Sequence, residues 1–109
     1  MLAKEKRLPI KVKIEKGKVF STPLFSLKIG KNNEEKSRLA FVVSKKVSQN
    51  AAKRNRIKRQ FRSILEKEYN RLEPGFDFLF RIKKEALELK KEDIAKTILE
   101  MLKKEKLIK

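Results

Sequence analysis

The sequence predicts a two-layer α+β sandwich in which two long helices cover one face of a four-stranded sheet and leave the opposite face partly open. Apolar residues at every second position over 24–29, 38–46 and 76–82 are typical of half-buried strands. Apolar residues at helical spacing over 50–72 and 92–106 indicate the two helices. A chain of 109 residues without repeats or linkers suits one domain with a single modest core.

The N-terminal part of the chain has the least regular pattern. Residues 1–8 are basic and lack periodicity, which predicts a mobile arm. Apolar residues alternate over 10–14, and taken alone this alternation predicts a strand. Residues 19–20 are expected to extend the sheet beyond Pro23, where a proline removes one hydrogen bond of the ladder.

Two strands in the middle of the chain are predicted to form a hairpin. The strand at 24–29 has one apolar face and one mixed face that carries Ser26 and Lys28. A polar turn at 31–35 leads into the strand at 38–46, so the two strands are expected to pair with each other. The mixed face is the candidate for the open side of the sheet.

The aromatic side chains are assigned mainly to the core. In the strand at 76–82, large apolar residues alternate with Asp77, Leu79 and Arg81, which predicts one buried face. The aromatic residues assigned to the core are Phe25, Phe41, Phe61, Phe76, Phe78 and Phe80. Phe20 is expected to be the most exposed of the phenylalanines.

The two helices have recognisable ends and apolar sides. The first is expected to begin near Asn50 and to end before Pro74 and Gly75, since proline cannot continue a helix and glycine accepts a positive φ. Its apolar side consists of Ile57, Phe61, Ile64, Leu65 and Leu72. The closing helix at 92–106 carries a stripe expected to be core, formed by Ile94, Ile98, Met101 and Leu102.

The charge of the chain is concentrated on the first of these helices and just before it. Lys and Arg number 31 against 14 Asp and Glu, a net charge of +17, and residues 43–63 contain eight basic residues and no acid. The basic residues alternate with Ile57 and Phe61 at helical spacing, which indicates a basic face on a packed helix rather than a disordered tail. Such a face requires an anionic partner.

The basic block resembles the signature of the bacterial ribonuclease P protein subunit. The matching segments are Ser44-Lys45-Lys46 at the end of a strand, then Arg54-Asn55-Arg56 and Ile57-Lys58-Arg59 on the helix. The resemblance implies one ribonuclease P protein domain over residues 1–109 with the order α-β-β-β-α-β-α. It also implies a left-handed crossover around the basic helix, as in the second domain of a small-subunit ribosomal protein. In place of the strand at 10–14 it implies a short first helix that ends before Gly17.

The resemblance also implies a function. The protein would be the non-catalytic subunit of a ribonucleoprotein that removes the 5′ leader from precursor tRNA, while the partner RNA performs Mg²⁺-dependent hydrolysis. The protein would bind the catalytic RNA and the leader, raise the affinity for substrate and metal, and itself hold no cofactor, metal or catalytic residue. One protein per RNA, a cytoplasmic location and no membrane partner are expected.

Two groups of site residues follow from the basic helix and from the resemblance. The residues expected to bind RNA are Lys45, Lys46, Lys53, Arg54, Asn55, Arg56, Lys58, Arg59 and Arg62. The candidates for the leader cleft are Ile10, Ile14, Phe20, Ser26, Lys28 and Ser44. Lys28 is expected to contact a backbone phosphate, and Asn55 either donates a directed hydrogen bond to RNA or caps the helix locally.

The remaining composition excludes some functions and leaves two alternatives. The chain has neither Cys nor His, so disulfides and thiolate metal sites are excluded, and its dispersed carboxylates disfavour a free-standing nuclease. No apolar run is long enough to span a membrane. The alternatives are a structural or ribosomal RNA-binding protein, and a peripheral protein that binds anionic membranes through a basic amphipathic helix.

Overall fold

The computed structural model describes residues 6–8, 14, 17–32 and 35–109, and within them it contains a four-stranded sheet and two helices. The strands are β1 (Lys18–Ser21), β2 (Phe25–Lys31), β3 (Arg38–Val42) and β4 (Phe76–Ile82). The helices are α1 (Ala51–Glu68) and α2 (Lys91–Lys104), and short 3₁₀ turns occupy Tyr69–Arg71 and Lys84–Glu88. The predicted α+β class is confirmed.

The order of the strands differs from the prediction. The sheet runs β1-β2-β4-β3, with β2 antiparallel to both β1 and β4, and β3 parallel to β4. The predicted hairpin between the strands at 24–29 and 38–46 is therefore wrong, because β4 lies between them. Helix α1 connects the parallel strands β3 and β4, so a crossover around the basic helix is present. Its left-handed sense stays a prediction.

The hairpin in this sheet is formed by β1 and β2. Thr22 closes it, since its Oγ1 accepts hydrogen bonds from the backbone N–H groups of Leu24 (3.2 Å) and Phe25 (3.1 Å). The Thr22 backbone N–H donates to the Phe25 carbonyl at 2.8 Å. Pro23 lies in this turn, outside the ladder, so the expected loss of a ladder bond at Pro23 does not occur. A threonine side chain supplies the turn geometry that sequence periodicity could not reveal.

The core lies between one face of the sheet and the two helices. Phe61 of α1 packs edge-on against Phe25 of β2, with ring centroids 5.9 Å apart and planes at 86°. Phe41 of β3 stacks on Phe80 of β4 at 5.4 Å. The predicted apolar sides of both helices are buried, as are Phe25, Phe61, Phe78 and Phe80, while Phe41 and Phe76 pack half-buried at the margin of the core. The helix orientations predicted from apolar spacing are confirmed.

Residues 6–8 are attached to the sheet, so the predicted mobile arm over 1–8 is wrong for its last three residues. Arg7 bridges to Leu39 of β3, and the Leu8 N–H donates to the Leu39 carbonyl at 2.8 Å. Leu8 is buried. The Lys6 ammonium lies 4.4 Å from the centroid of the Tyr69 ring, a cation–π contact. Residues 1–5, and the helix or strand predicted over 9–16 apart from Ile14, lie outside the described residues.

Gly17 is required by a close approach of the chain to β2. A Cβ at this position would lie 2.6 Å from the Ile29 carbonyl oxygen and 2.9 Å from Cγ2 of Ile14. A backbone oxygen cannot move aside as a flexible side chain can. Any side chain at position 17 would therefore displace β1 from β2.

We expect Gly17→Ala to lower the free energy of unfolding by about 1–3 kcal/mol, as overpacking does in a tight site. Urea denaturation of the two proteins would measure it. Val19→Ala, an exposed substitution on the strand β1 that follows Gly17, is the control and is expected to change stability by about 0.5 kcal/mol or less. Equal stability of Gly17→Ala and the parent chain would contradict the close approach.

Candidate nucleic-acid interface

Helix α1 carries a cationic surface on the side that faces away from the core. Asn50 caps the helix, since its Oδ1 accepts a hydrogen bond from the Lys53 backbone N–H at 3.2 Å. The basic face consists of the exposed residues Lys53, Asn55, Arg56 and Arg59 and the half-buried residues Arg54, Lys58 and Arg62. Because Ile57 and Phe61 anchor the opposite side of the helix in the core, this surface has a fixed orientation.

The charge of the basic face is uncompensated within the described part of the chain. The first turn of α1 contains no acidic residue. The ion pairs between described residues lie elsewhere, one between Arg38 and Asp77 and one between Arg71 and Glu68. A fixed surface with many cations, on a helix whose first acidic residue is Glu66, produces a strong positive potential, which attracts polyanions.

The loop before α1 is fixed to the helix by Arg54. Its Nη1 donates to the Ser48 carbonyl at 2.7 Å, and the Asn50 backbone N–H donates to Ser48 Oγ at 3.2 Å. Lys45 and Lys46 are exposed in the preceding turn, which is closed by a 3.0 Å hydrogen bond from the Val47 N–H to the Ser44 carbonyl. Arg54 thus holds the loop that carries two further cations, a positioning contact that the sequence analysis missed.

Asn55 does not cap α1. The cap is Asn50, five positions earlier, so the interpretation of Asn55 as a local backbone cap is wrong. Asn55 is exposed, and among the described residues its side chain has no hydrogen-bond partner. Its amide remains available to an external ligand, and the directed hydrogen bond to RNA stays a prediction.

The apolar side of α1 is not available to a membrane. Ile57, Phe61 and Leu65 are buried against the sheet and α2, whereas an interfacial helix inserts its apolar side among lipids. Within the described ranges, no helix is both long and apolar enough to cross a bilayer. The basic face therefore belongs to a helix that is already packed on its own domain.

The sheet face opposite the helices is partly open. Ser26 and Lys28 of β2 lie on it, as predicted, beside Leu79 and Arg81 of β4. The outer strands contribute Val19, Ser21, Ala40 and Val42 to the same face. Val19 is 64% exposed and Val42 is 42% exposed, so this side of the sheet is accessible along both outer strands. We call these residues the open face.

Of the predicted leader-cleft residues, Phe20 lies on the helix side of the sheet and Ile14 is buried. Phe20 pairs with Leu27, which faces the core, so Phe20 lies on the helix side of the sheet and packs half-buried against the core. Strand alternation places it opposite to Ser26 and Lys28, so the structure does not bring these three leader-cleft candidates together. Ile14 is buried, 9% exposed, and has little surface to offer a ligand. Ile10 lies outside the described residues.

Ser44 is exposed two residues beyond the end of β3, where the chain leaves the sheet for α1. It therefore lies in the loop that connects the sheet to the basic face. Its contact with the leader stays a prediction.

Asp77 is the buried carboxylate beside the open face, and it is occupied by an internal ion pair. Its two oxygens accept hydrogen bonds from Arg38 Nε and Nη2 at 2.8 and 2.9 Å, and Oδ1 also accepts from Asn32 Nδ2 at 2.9 Å. A bidentate pair of this kind fixes both side chains. Arg38 is therefore engaged in an ion pair within the protein and is not assigned to RNA binding.

Arg81 is an exposed cation of the open face that was not among the predicted site residues. The alternation of β4 already placed it opposite the phenylalanines, and a lone arginine on the mixed side of an apolar strand was the available signal. Arg81 belongs to the same surface as Ser26 and Lys28 only because β4 pairs with β2, which sets Arg81 opposite Ser26. The predicted hairpin had placed a different strand there.

The described residues contain no group of three or more His, Cys, Asp or Glu placed to hold a metal ion. The cations of the basic face suit the binding of phosphate groups. Arginine guanidinium groups bind phosphate oxygens in a planar fork, and lysine ammonium groups neutralise phosphate as point charges.

A family model described as Ribonuclease P matches residues 6–106 of the chain. The chain belongs to the ribonuclease P protein family. The Ribonuclease P protein component of Fusobacterium nucleatum is 39% identical over 82 residues, covering 72% of this chain and 73% of the relative. That of Synechococcus elongatus is 40% identical over 73 residues, covering 62% and 58%. The chain spans 44–58% of the length of the cyanobacterial Cyanothece and Synechococcus elongatus proteins.

Solved structures of the ribonuclease P protein family have the same fold. The RNase P protein from Thermotoga maritima superposes with a TM-score of 0.81 at 26% identity, covering 90% of this chain and 96% of that protein. The Staphylococcus aureus protein superposes with a TM-score of 0.75 at 26% identity, covering 99% and 95%. The predicted α+β fold class and the family indicated by the basic block are both confirmed.

Proposed function

We propose that this chain is the protein subunit of the ribonuclease P ribonucleoprotein and that it helps to remove the 5′ leader from precursor tRNA. The observation that carries the proposal is the basic face, which presents Arg54-Asn55-Arg56 on a helix anchored in the core of a ribonuclease P family protein. Its partner is the catalytic RNA. One protein per RNA, acting in the cytoplasm, is part of the proposal.

The division of labour follows from the side chains that the protein can offer. Phosphodiester hydrolysis requires a general acid and base or clustered carboxylates that hold metal ions. The basic face instead offers cations and hydrogen-bond donors, so the RNA carries out hydrolysis with its own bound Mg²⁺. The protein neutralises phosphates in the folded RNA, which reduces the Mg²⁺ concentration that the RNA needs for folding and substrate binding.

The open face is the proposed site of the leader. Ser26 and Lys28 lie there, and the loop with Ser44, Lys45 and Lys46 runs from the adjacent sheet edge towards the basic face. A leader bound on this face and a catalytic RNA bound to α1 would be held by one rigid domain. The protein then raises the affinity of the complex for precursor tRNA over mature tRNA.

The test is cleavage of precursor tRNA by a bacterial ribonuclease P RNA at low Mg²⁺, with and without the protein. We expect the protein to restore cleavage at the correct 5′ position under conditions where the RNA alone is nearly inactive. Polylysine at equal total charge is the control for nonspecific screening and should not restore it. Tight RNA binding without stimulation of cleavage would contradict the proposal and favour a structural RNA-binding protein.

A further inference from the structure

All eight aromatic residues of the chain are described, and none of them lies on the open face. Strand register places six phenylalanines on the helix side of the sheet: Phe20, Phe25, Phe41, Phe76, Phe78 and Phe80. Phe61 is buried in α1. Tyr69 lies in the 3₁₀ turn after α1, where its hydroxyl donates to the Ser37 carbonyl and its ring contacts Lys6. The open face has no ring on which a base can stack.

Lys28 and Arg81 are the cations on the strands of the open face, and neither has a carboxylate partner among the described residues. Lys28 pairs with Leu79 in the β2–β4 ladder, and Arg81 pairs with Ser26, so the two cations are diagonal neighbours, about 7–8 Å apart at the backbone. Arg81 is exposed and Lys28 is half-buried. Neither forms an ion pair with a described residue, since Asp77 is occupied by Arg38.

The neighbouring strand residues of these cations are aliphatic or hydroxylic, and the Lys83 ammonium lies at their edge, where it donates to Ser21 Oγ at 2.7 Å. Val19 and Ser21 lie on one side, and Ala40 and Val42 lie on the other. Proteins that hold single strands usually combine a cationic groove with aromatic rings, and each stacked base contributes roughly tenfold or more to affinity. The open face supplies only the cationic part of this combination.

We propose that this protein holds the 5′ leader by its phosphate backbone, with Arg81 and Lys28 as the phosphate contacts and without aromatic stacking on the bases. The inference rests on the proposed function and specifies how the leader is recognised. Leader binding is then independent of base identity and strongly dependent on salt. A leader with any sequence would be held equally well.

Modified leaders test the mode of recognition in the complex of catalytic RNA and protein. The substrates compared are precursor tRNAs with a short leader of one length. The leader is either unmodified, or abasic at chosen positions, or carries neutral methylphosphonate linkages at the same positions. The quantity measured is the ratio of the substrate Kd of the RNA alone to that of the complex. We expect abasic leaders to keep this ratio within about twofold, because no stacking is lost, and methylphosphonate leaders to lose about tenfold or more.

Variants of the open face test the assigned residues. Arg81→Gln combined with Lys28→Gln is expected to lower the slope of log Kd against log salt by about 1.4, since each single-strand phosphate contact contributes about 0.7. In this variant the methylphosphonate leader should bind no worse than the unmodified leader. Lys84→Gln combined with Lys96→Gln, which removes equal charge from exposed positions outside the open face, is the control and should keep the parent slope.

The outcomes separate the inference from the function on which it rests. If the complex matures precursor tRNA but abasic leaders lose the affinity gain, the bases are recognised and the phosphate mode is wrong while the function stands. If the Arg81 and Lys28 variant keeps the parent slope, the assignment of these residues is wrong. If the protein stimulates no substrate, the function and the inference both fail.

Discussion

Replacing Phe61 with alanine is expected to lower the free energy of unfolding by about 3–5 kcal/mol, the range measured when a buried aromatic side chain is deleted. The Phe61 ring is fully buried and contacts Phe25 at 5.9 Å, Phe80 at 6.4 Å and Phe41 at 6.5 Å between centroids. It joins α1 to three strands, so its loss leaves a cavity that no single element can close. Urea denaturation with far-UV circular dichroism measures the change.

This expected loss is a large part of the stability of a small domain, which is typically about 5–15 kcal/mol. Lys67→Ala, an exposed substitution near the end of the same helix, is the matched control and should cost less than about 1 kcal/mol. An unchanged midpoint in Phe61→Ala would contradict the placement of α1 on the sheet. It would also remove the reason for assigning the opposite side of α1 to RNA.

Replacing Arg56 and Arg59 together with alanine is expected to raise the Kd for the catalytic RNA by about tenfold or more and to leave the fold intact. Both side chains are exposed and lie three residues apart on one side of α1, where they can contact adjacent phosphates. The slope of log Kd against log salt should fall by about two, because two phosphate contacts are lost. Filter binding over a range of salt concentrations measures both quantities.

The control for this variant is Lys96→Ala combined with Lys103→Ala, which removes the same charge from exposed positions on α2. If RNA binding depends on net charge alone, the two variants will lose affinity equally, and the assignment of RNA binding to the basic face will be wrong. Unfolding of the Arg56 and Arg59 variant would instead show that these arginines have a structural role.

The sequence by itself determined the helices, the strand β4 and the family. Apolar spacing identified the buried sides of α1 and α2, because a helical period of 3.6 residues is a property of a continuous segment. Asn50 indicated the N-terminal cap of α1, and Gly75 indicated a residue with positive φ, which is 81° in the structure. A short stretch of chain can specify both features. The predicted limits of β4, residues 76–82, are those observed. The order of Arg, Asn, Ile and Lys in the basic block was enough to indicate the family.

Only the tertiary structure decided which strands are neighbours and which side chains share the open face. Alternation along one strand divides its residues between two faces but does not say which strand lies beside it. Strand β4 lies between β2 and β3, where Phe78 and Phe80 are buried beneath the two helices. The free energy gained by this burial comes from contacts between residues that are about fifty positions apart in the chain. That same pairing places Arg81 beside Lys28, and the pairing of β1 with β2 turns Phe20 towards the core. Local periodicity contains none of these long-range pairings, since they are set by the free energy of packing the whole core.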